Sequence, residues 1–163
     1  MARLPTTAYL TGGATAVLLG WRESTIDVDL KFVPDRGDLL SAIPALKEEL
    51  ELNVELASPD DFIPVQPGWQ DRSPWEGKEG LLTVRHFDLV AQALSKIERG
   101  HERDRQDVAA MLERGLIEPA AVWAAFDAIS PELYRYPAVE PARFRRSVAE
   151  LIGPPAGEAT PWG

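Results

Sequence analysis

The chain has 163 residues, 45% of them hydrophobic and 26% charged, which is enough for a full core and too apolar for a disordered chain. Lys and Arg number 17 against 26 Asp and Glu, a net charge of −9, which excludes a simple polybasic nucleic-acid coat and leaves room for an acidic site neutralised by metal. With no Cys and two His, disulfides, thiolate metal sites and a cysteine nucleophile are excluded, and a His-rich zinc centre is not expected.

No apolar run approaches the ~18 residues of a membrane span. The opening MARLPTTAYL lacks the apolar stretch of a signal peptide. The expectation is a soluble, cytoplasmic protein. In chain order, Ala8–Leu10 leads into Gly12-Gly13, and the run Ala14–Leu19 reads as a short helix stopped by Gly20. Residues 26–33 alternate strictly: Ile26, Val28, Leu30 and Phe32 point one way, and Asp27, Asp29 and Lys31 the other. That is a half-buried strand. Leu39, Ile43, Leu46 and Leu50 recur at helical spacing, with Pro44 predicting a kink or a late start. Leu52, Val54 and Leu56 alternate with Asn53 and Glu55, giving a second strand.

Residues 58–80 hold four prolines and three glycines and read as one long irregular connection, with Trp69 and Trp75 packing it. Leu81–Arg85 reads as a short strand. Asp88 is placed to cap a helix over Leu89–Arg99 that carries Val90, Ala93, Leu94 and Ile97 on one stripe. Further helices are expected over Asp104–Arg114, from Pro119 and from Pro141. The predicted organisation is an α/β core over 1–86, a helical part over 87–152 packed on it, and a flexible tail over 153–163. The fold class is α/β (α+β): a small mixed sheet flanked by helices, with a helical C-terminal part.

The chemistry centres on Asp27-Val28-Asp29. Residues two apart on a strand face the same side, about 6.5–7 Å apart. Two such carboxylates repel unless a cation lies between them, and Mg²⁺ takes few protein carboxylates while completing its shell with water and phosphate. The bland alternative is a solvated strand face. Glu55 joins the pair if both strands bury their apolar faces on the same side; three carboxylates then make a two-metal cradle. Gly12-Gly13 before a helix lets backbone N–H groups approach an anion, or is simply a turn. Lys96 borders the apolar stripe and reaches a cleft, or is an ordinary flank residue. Asp104 is also a natural N-cap, with Asp107 in the negative first turn. The Arg residues at 99, 103 and 105 and those at 143, 145 and 146 read as mixed solvated surface. Trp69 and Trp75 stack a base or pin a loop. His86 and His101 are not spaced as a metal pair and receive no role.

Gly12-Gly13, thirteen intervening residues and then Asp27-Val28-Asp29-Leu30 resemble the signature of the nucleotidyltransferase superfamily related to DNA polymerase beta. The fuller string Gly12-Gly13-Ala14, Gly20, Arg22-Glu23-Ser24-Thr25-Ile26-Asp27-Val28-Asp29-Leu30 resembles the AbiEii-like branch, which includes toxin halves of bacterial toxin–antitoxin pairs. Lys96, Arg99, Arg103-Asp104 and Asp107 continue the likeness, which spans residues 9–115. The resemblance implies a nucleotidyltransferase fold. It implies Mg²⁺ (or Mn²⁺) on Asp27 and Asp29, with Glu55 as third carboxylate, helping hold metal or taking the attacking proton. Gly12 and Gly13 would cradle the triphosphate, with Ser24 a nearby hydroxyl donor. Lys96 would bind the departing phosphates, and Asp104 would orient it or an adjacent group. The activity so implied is transfer of a nucleotidyl group from an NTP to a hydroxyl on RNA, protein or a small molecule, with an antitoxin protein as a possible partner. Two rivals stand beside it: a non-catalytic nucleotide- or antitoxin-binding protein on the same fold, and a metal-dependent phosphohydrolase.

Overall fold

The computed structural model describes residues 4–35 and 37–158. Two compact units divide the chain: one is built from the chain up to Ser58 with Gln70–Asp88, the other from Pro59–Trp69 with the chain from Leu89 onward.

The first unit is a five-stranded mixed sheet with short helices. Its strands are β1 (Thr6–Thr11), β2 (Asp27–Val33), β3 (Asn53–Leu56), β4 (Trp75–Glu79) and β5 (Leu82–His86). They lie in the order β3-β2-β1-β5-β4. The β1–β2 and β4–β5 pairs are antiparallel, and β1–β5 and β2–β3 are parallel. The alternation in β2 sorts its two faces. Val28 and Leu30 stand opposite Val54 and Leu56 of β3, and Leu30 opposite Leu10 of β1. Asp29 stands opposite both Thr11 and Glu55. Opposed residues share a face, so one side of the sheet is apolar and the other gathers polar groups.

Helix α1 (Gly13–Leu18) follows β1 through Gly12, whose φ of +66° suits glycine. Helix α2 (Gly37–Leu40) is a single turn, and α3 (Ile43–Leu50) begins late, with Pro44 in its first turn where no N–H is missed.

Between residues 58 and 80 the chain is irregular over residues 62–74, as expected, with regular structure on either side. Pro59–Asp61 is a 3₁₀ turn and Trp75–Glu79 is strand β4. The strand is cryptic because WEGKE has no apolar alternation, and Gly77 sits at a register shift against β5. Trp75 does not pin the loop: it is 61% exposed on an edge strand.

Tyr9 of β1 is buried and meets Phe87 edge-to-face, with centroids 6.3 Å apart. Burial pushes its phenol above the ordinary value, and Arg85 beside it pulls the other way. An unfolded tyrosine ionises near ~10, so above that pH the unfolded chain gives up its proton first. Tyr9 therefore contributes stability below about pH 10 that is lost as pH rises towards the folded value. Tyr9→Phe should flatten the fall in denaturant midpoint between pH 9 and 11; an unchanged slope would assign the fall to other groups.

The second unit is helical: α4 (Leu89–Arg99), α5 (Glu102–Glu113), α6 (Pro119–Ile129), a 3₁₀ segment Ser130–Arg135, and α7 (Pro141–Ile152). Helix α4 packs against α5, α6 and α7. Trp123, Phe126 and Phe144 stack edge-to-face, with centroids 5.7 and 5.1 Å apart, and close the core between α6 and α7. Helix α5 starts two residues before the expected Asp104, because His101 is the residue that breaks from helical geometry. In the expected tail, Gly153 O accepts from Trp123 Nε1 at 2.9 Å and Glu158 meets Arg145 at 2.7 Å. Residues 159–163 of that tail lie outside the described residues. Among the described residues no helix is long and apolar enough to cross a membrane.

Candidate functional site

The acidic site is built by register. Asp27 and Asp29 lie two apart on β2, and Glu55 on β3 stands directly opposite Asp29, with Asn53 opposite Asp27. Neighbouring strands are about 4.8 Å apart, so the three carboxyl groups share one face of adjacent strands. Asp27 and Asp29 are half-buried and Glu55 is exposed.

Asn53 is a further member of the site, one that no motif in the sequence marks. Its Nδ2 donates to Asp27 Oδ1 and to Glu55 Oε1, at 3.2 Å each. One amide thereby bridges two acids and offsets their repulsion. The signal was available, since Asn53 precedes Glu55 by two and shares its face.

The glycine turn reaches the same acids. A Cβ on Gly12 would lie 3.2 Å from Asp29 Oδ2. The positive φ belongs to Gly12 and not to Gly13. Gly13 is constrained by crowding: a Cβ there would run into Thr25 Oγ1 and lie 3.2 Å from Arg22 Nη1. Gly13→Ala should therefore destabilise the sheet unit by about 1–3 kcal/mol through overpacking. Adding Thr25→Ala removes the obstructing hydroxyl and should recover part of that loss. Denaturant unfolding of the two variants measures it, and no recovery would place the strain elsewhere.

Ser24 is exposed. The hydroxyl that faces this turn is that of Thr25. Thr25 Oγ1 accepts from Asp27 N at 3.1 Å and lies 3.2 Å from Asp27 O, fixing the entry to β2. The face also carries cations. Lys31 and Arg85 both stand in register with Tyr9, on the side of Asp29 and Glu55. Arg22 and Thr25 were legible only as letters of the longer string, because their nearness to Gly13 depends on how the segment after α1 turns back.

Donor chemistry suits a hard divalent cation, since the face presents carboxylate oxygens. Among the described residues no three His, Asp or Glu side chains converge closely enough to form a metal cage. Asp27 and Asp29 alone match the one or two carboxylates that Mg²⁺ takes when phosphates complete its shell.

In the helical unit, Lys96 is not a flank residue. It is 7% exposed, with its Nζ 2.8 Å from Asp107 Oδ2 and 3.9 Å from Asp104 Oδ1. Asp104 is the third residue of α5 rather than its N-cap. Its carboxylate reaches back to His101 N at 3.2 Å and takes a two-pronged bond from Arg99, at 2.8 and 2.5 Å. Two cations and two anions thus lock α4 to α5, and Asp104 does hold a position beside Lys96. Asp88 accepts from Arg72 Nε at 3.0 Å just before α4 begins. Trp69 lines a cavity of about 400 Å³ in this unit, beside Ile129 and Tyr136. The arginines at 143, 145 and 146 lie within 2.7–4.0 Å of Glu98, Glu158 and Glu140 respectively, a mixed surface rather than a basic patch. No family model, curated protein or solved structure matches the chain.

Proposed function

We propose that the chain is a metal-dependent nucleotidyltransferase of the nucleotidyltransferase fold, in which Asp27 and Asp29 hold Mg²⁺ or Mn²⁺. The observation that carries the reading is the meeting of three features on one site: Asp27 and Asp29, Glu55 in register with them, and Gly12 packed against Asp29 Oδ2. A bound cation supplies charge neutralisation at the phosphates.

The chain's own residues do the rest. Gly12, which has no Cβ, leaves room for phosphate oxygens beside Asp29. Arg22, beside Gly13, and Lys31, two residues along β2 from Asp29, lend positive charge to the site. The acceptor hydroxyl attacks the α-phosphate; its proton passes to Glu55, the new O–P bond forms, and pyrophosphate leaves with the electrons of the broken bond. Glu55 suits the proton because it is exposed at the edge strand, where an acceptor can approach. The proposed site rests on the sheet unit alone; Lys96, whose ammonium Asp107 and Asp104 hold within the helical unit, is given no part in it. By the same resemblance the chain is the toxin half of a toxin–antitoxin pair.

Incubation with α-labelled and γ-labelled NTPs, Mg²⁺ and fractionated lysate tests this. The α label should move to an acceptor while pyrophosphate is released. Orthophosphate release would assign a phosphohydrolase instead, and binding without turnover a non-catalytic nucleotide protein.

A further inference from the structure

The nucleotide reading leaves one buried polar chain unused. His86, at the end of β5, is fully buried. Its Nε2 lies 2.7 Å from Glu76 Oε2 and its Nδ1 3.0 Å from Thr15 Oγ1. A carboxylate only accepts, so Nε2 bears the proton, and in the neutral ring Nδ1 accepts from the Thr15 hydroxyl. Hydroxyl, imidazole and carboxylate in this order are the groups of a nucleophilic triad. Thr15 has no exposed surface, however, so no substrate reaches it. The role open to the chain of bonds is to hold something in place.

What it holds is the glycine turn. Thr15 lies in the first turn of α1, directly after Gly12-Gly13. Its hydroxyl is also 3.3 Å from Leu10 O, which accepts from Phe87 N at 2.8 Å. The strand end before the turn and the helix start after it are therefore both tied to the end of β5. Glu76, whose side chain is one-third exposed, anchors the far end from β4. Among the described residues no buried side-chain polar atom lacks a hydrogen bond, and the two ring nitrogens of His86 are met by Thr15 and Glu76.

We propose that His86, acting through Thr15, is a positioning residue that sets the Gly12-Gly13 turn against Asp29 to receive a nucleotide's phosphates; this rests on the nucleotide reading above. The test uses Thr15→Val, which keeps shape and loses the hydroxyl, beside Thr15→Ser, which keeps it. Amide hydrogen exchange is followed at Ala16, whose N–H bonds to Gly12 O across the turn, and at Asn53, bonded to Ile26 O between β2 and β3. Thr15→Val should speed exchange at Ala16 about tenfold, the scale of one hydrogen bond, and leave Asn53 unchanged. NTP affinity should fall by a similar factor, and Thr15→Ser should restore both. Unchanged exchange at Ala16, or equal acceleration at both amides, overturns the proposal. If Thr15→Val does not fold, Glu76→Gln is read by the same pair of amides and should speed Ala16 alone. Should the wild type bind no NTP, the nucleotide reading fails, while the exchange pattern still decides the clamp.

Discussion

Replacing Lys96 with alanine should cost the helical unit about 3–5 kcal/mol, the loss expected when one member of a buried ion pair is removed. The ammonium lies 2.8 Å from Asp107 Oδ2, and both side chains are under a tenth exposed. Its removal leaves the Asp107 carboxylate in a low-dielectric interior without that charge. Asp104 is cushioned by Arg99 and by His101 N, so the damage centres on Asp107. Lys96→Met with Asp107→Leu should recover most of the loss, since it removes both charges and keeps volume. Thermal melts of the single and double variants measure this. A single variant that melts with wild type would mean that Lys96 is solvated, as a flank position suggests.

Asp27→Asn with Asp29→Asn should lower metal-dependent turnover by about a thousandfold or more, because the electrostatic support for the phosphates is lost. The fold should not suffer. Asparagine keeps an oxygen that can accept from Asn53, as Asp27 Oδ1 does at 3.2 Å, and the like charges disappear. The metal-free double variant should therefore melt at or above the wild-type temperature. A marked drop would show that the two acids are structural, and the cation site would not lie there.

Local pattern carried the sheet and failed at its edge. Strand β2 was legible because apolar and charged residues alternate strictly from Ile26 to Phe32, and the helices because Pro and Gly punctuate them. Glu55 could be tied to Asp29 only conditionally, since pairing of β2 with β3 is a tertiary fact. Strand β4 was hidden because WEGKE lacks the apolar period that marks a strand. Lys96 looked like a border residue because its partner Asp107 lies eleven positions on, across a helix turn-back. His86 carried no signal at all: a lone histidine gains meaning only when Thr15 and Glu76, distant in sequence, close on its two nitrogens.

Calorimetric titration of each NTP into the protein, with Mg²⁺ and again with EDTA, addresses the site most directly. Wild type should bind an NTP in Mg²⁺, lose most of that affinity in EDTA, and lose it again in the Asp27→Asn/Asp29→Asn variant at an undiminished melting temperature. Absence of binding to any NTP with Mg²⁺ or Mn²⁺, or equal binding by wild type and variant, would contradict a nucleotide site on the acidic face of β2 and β3.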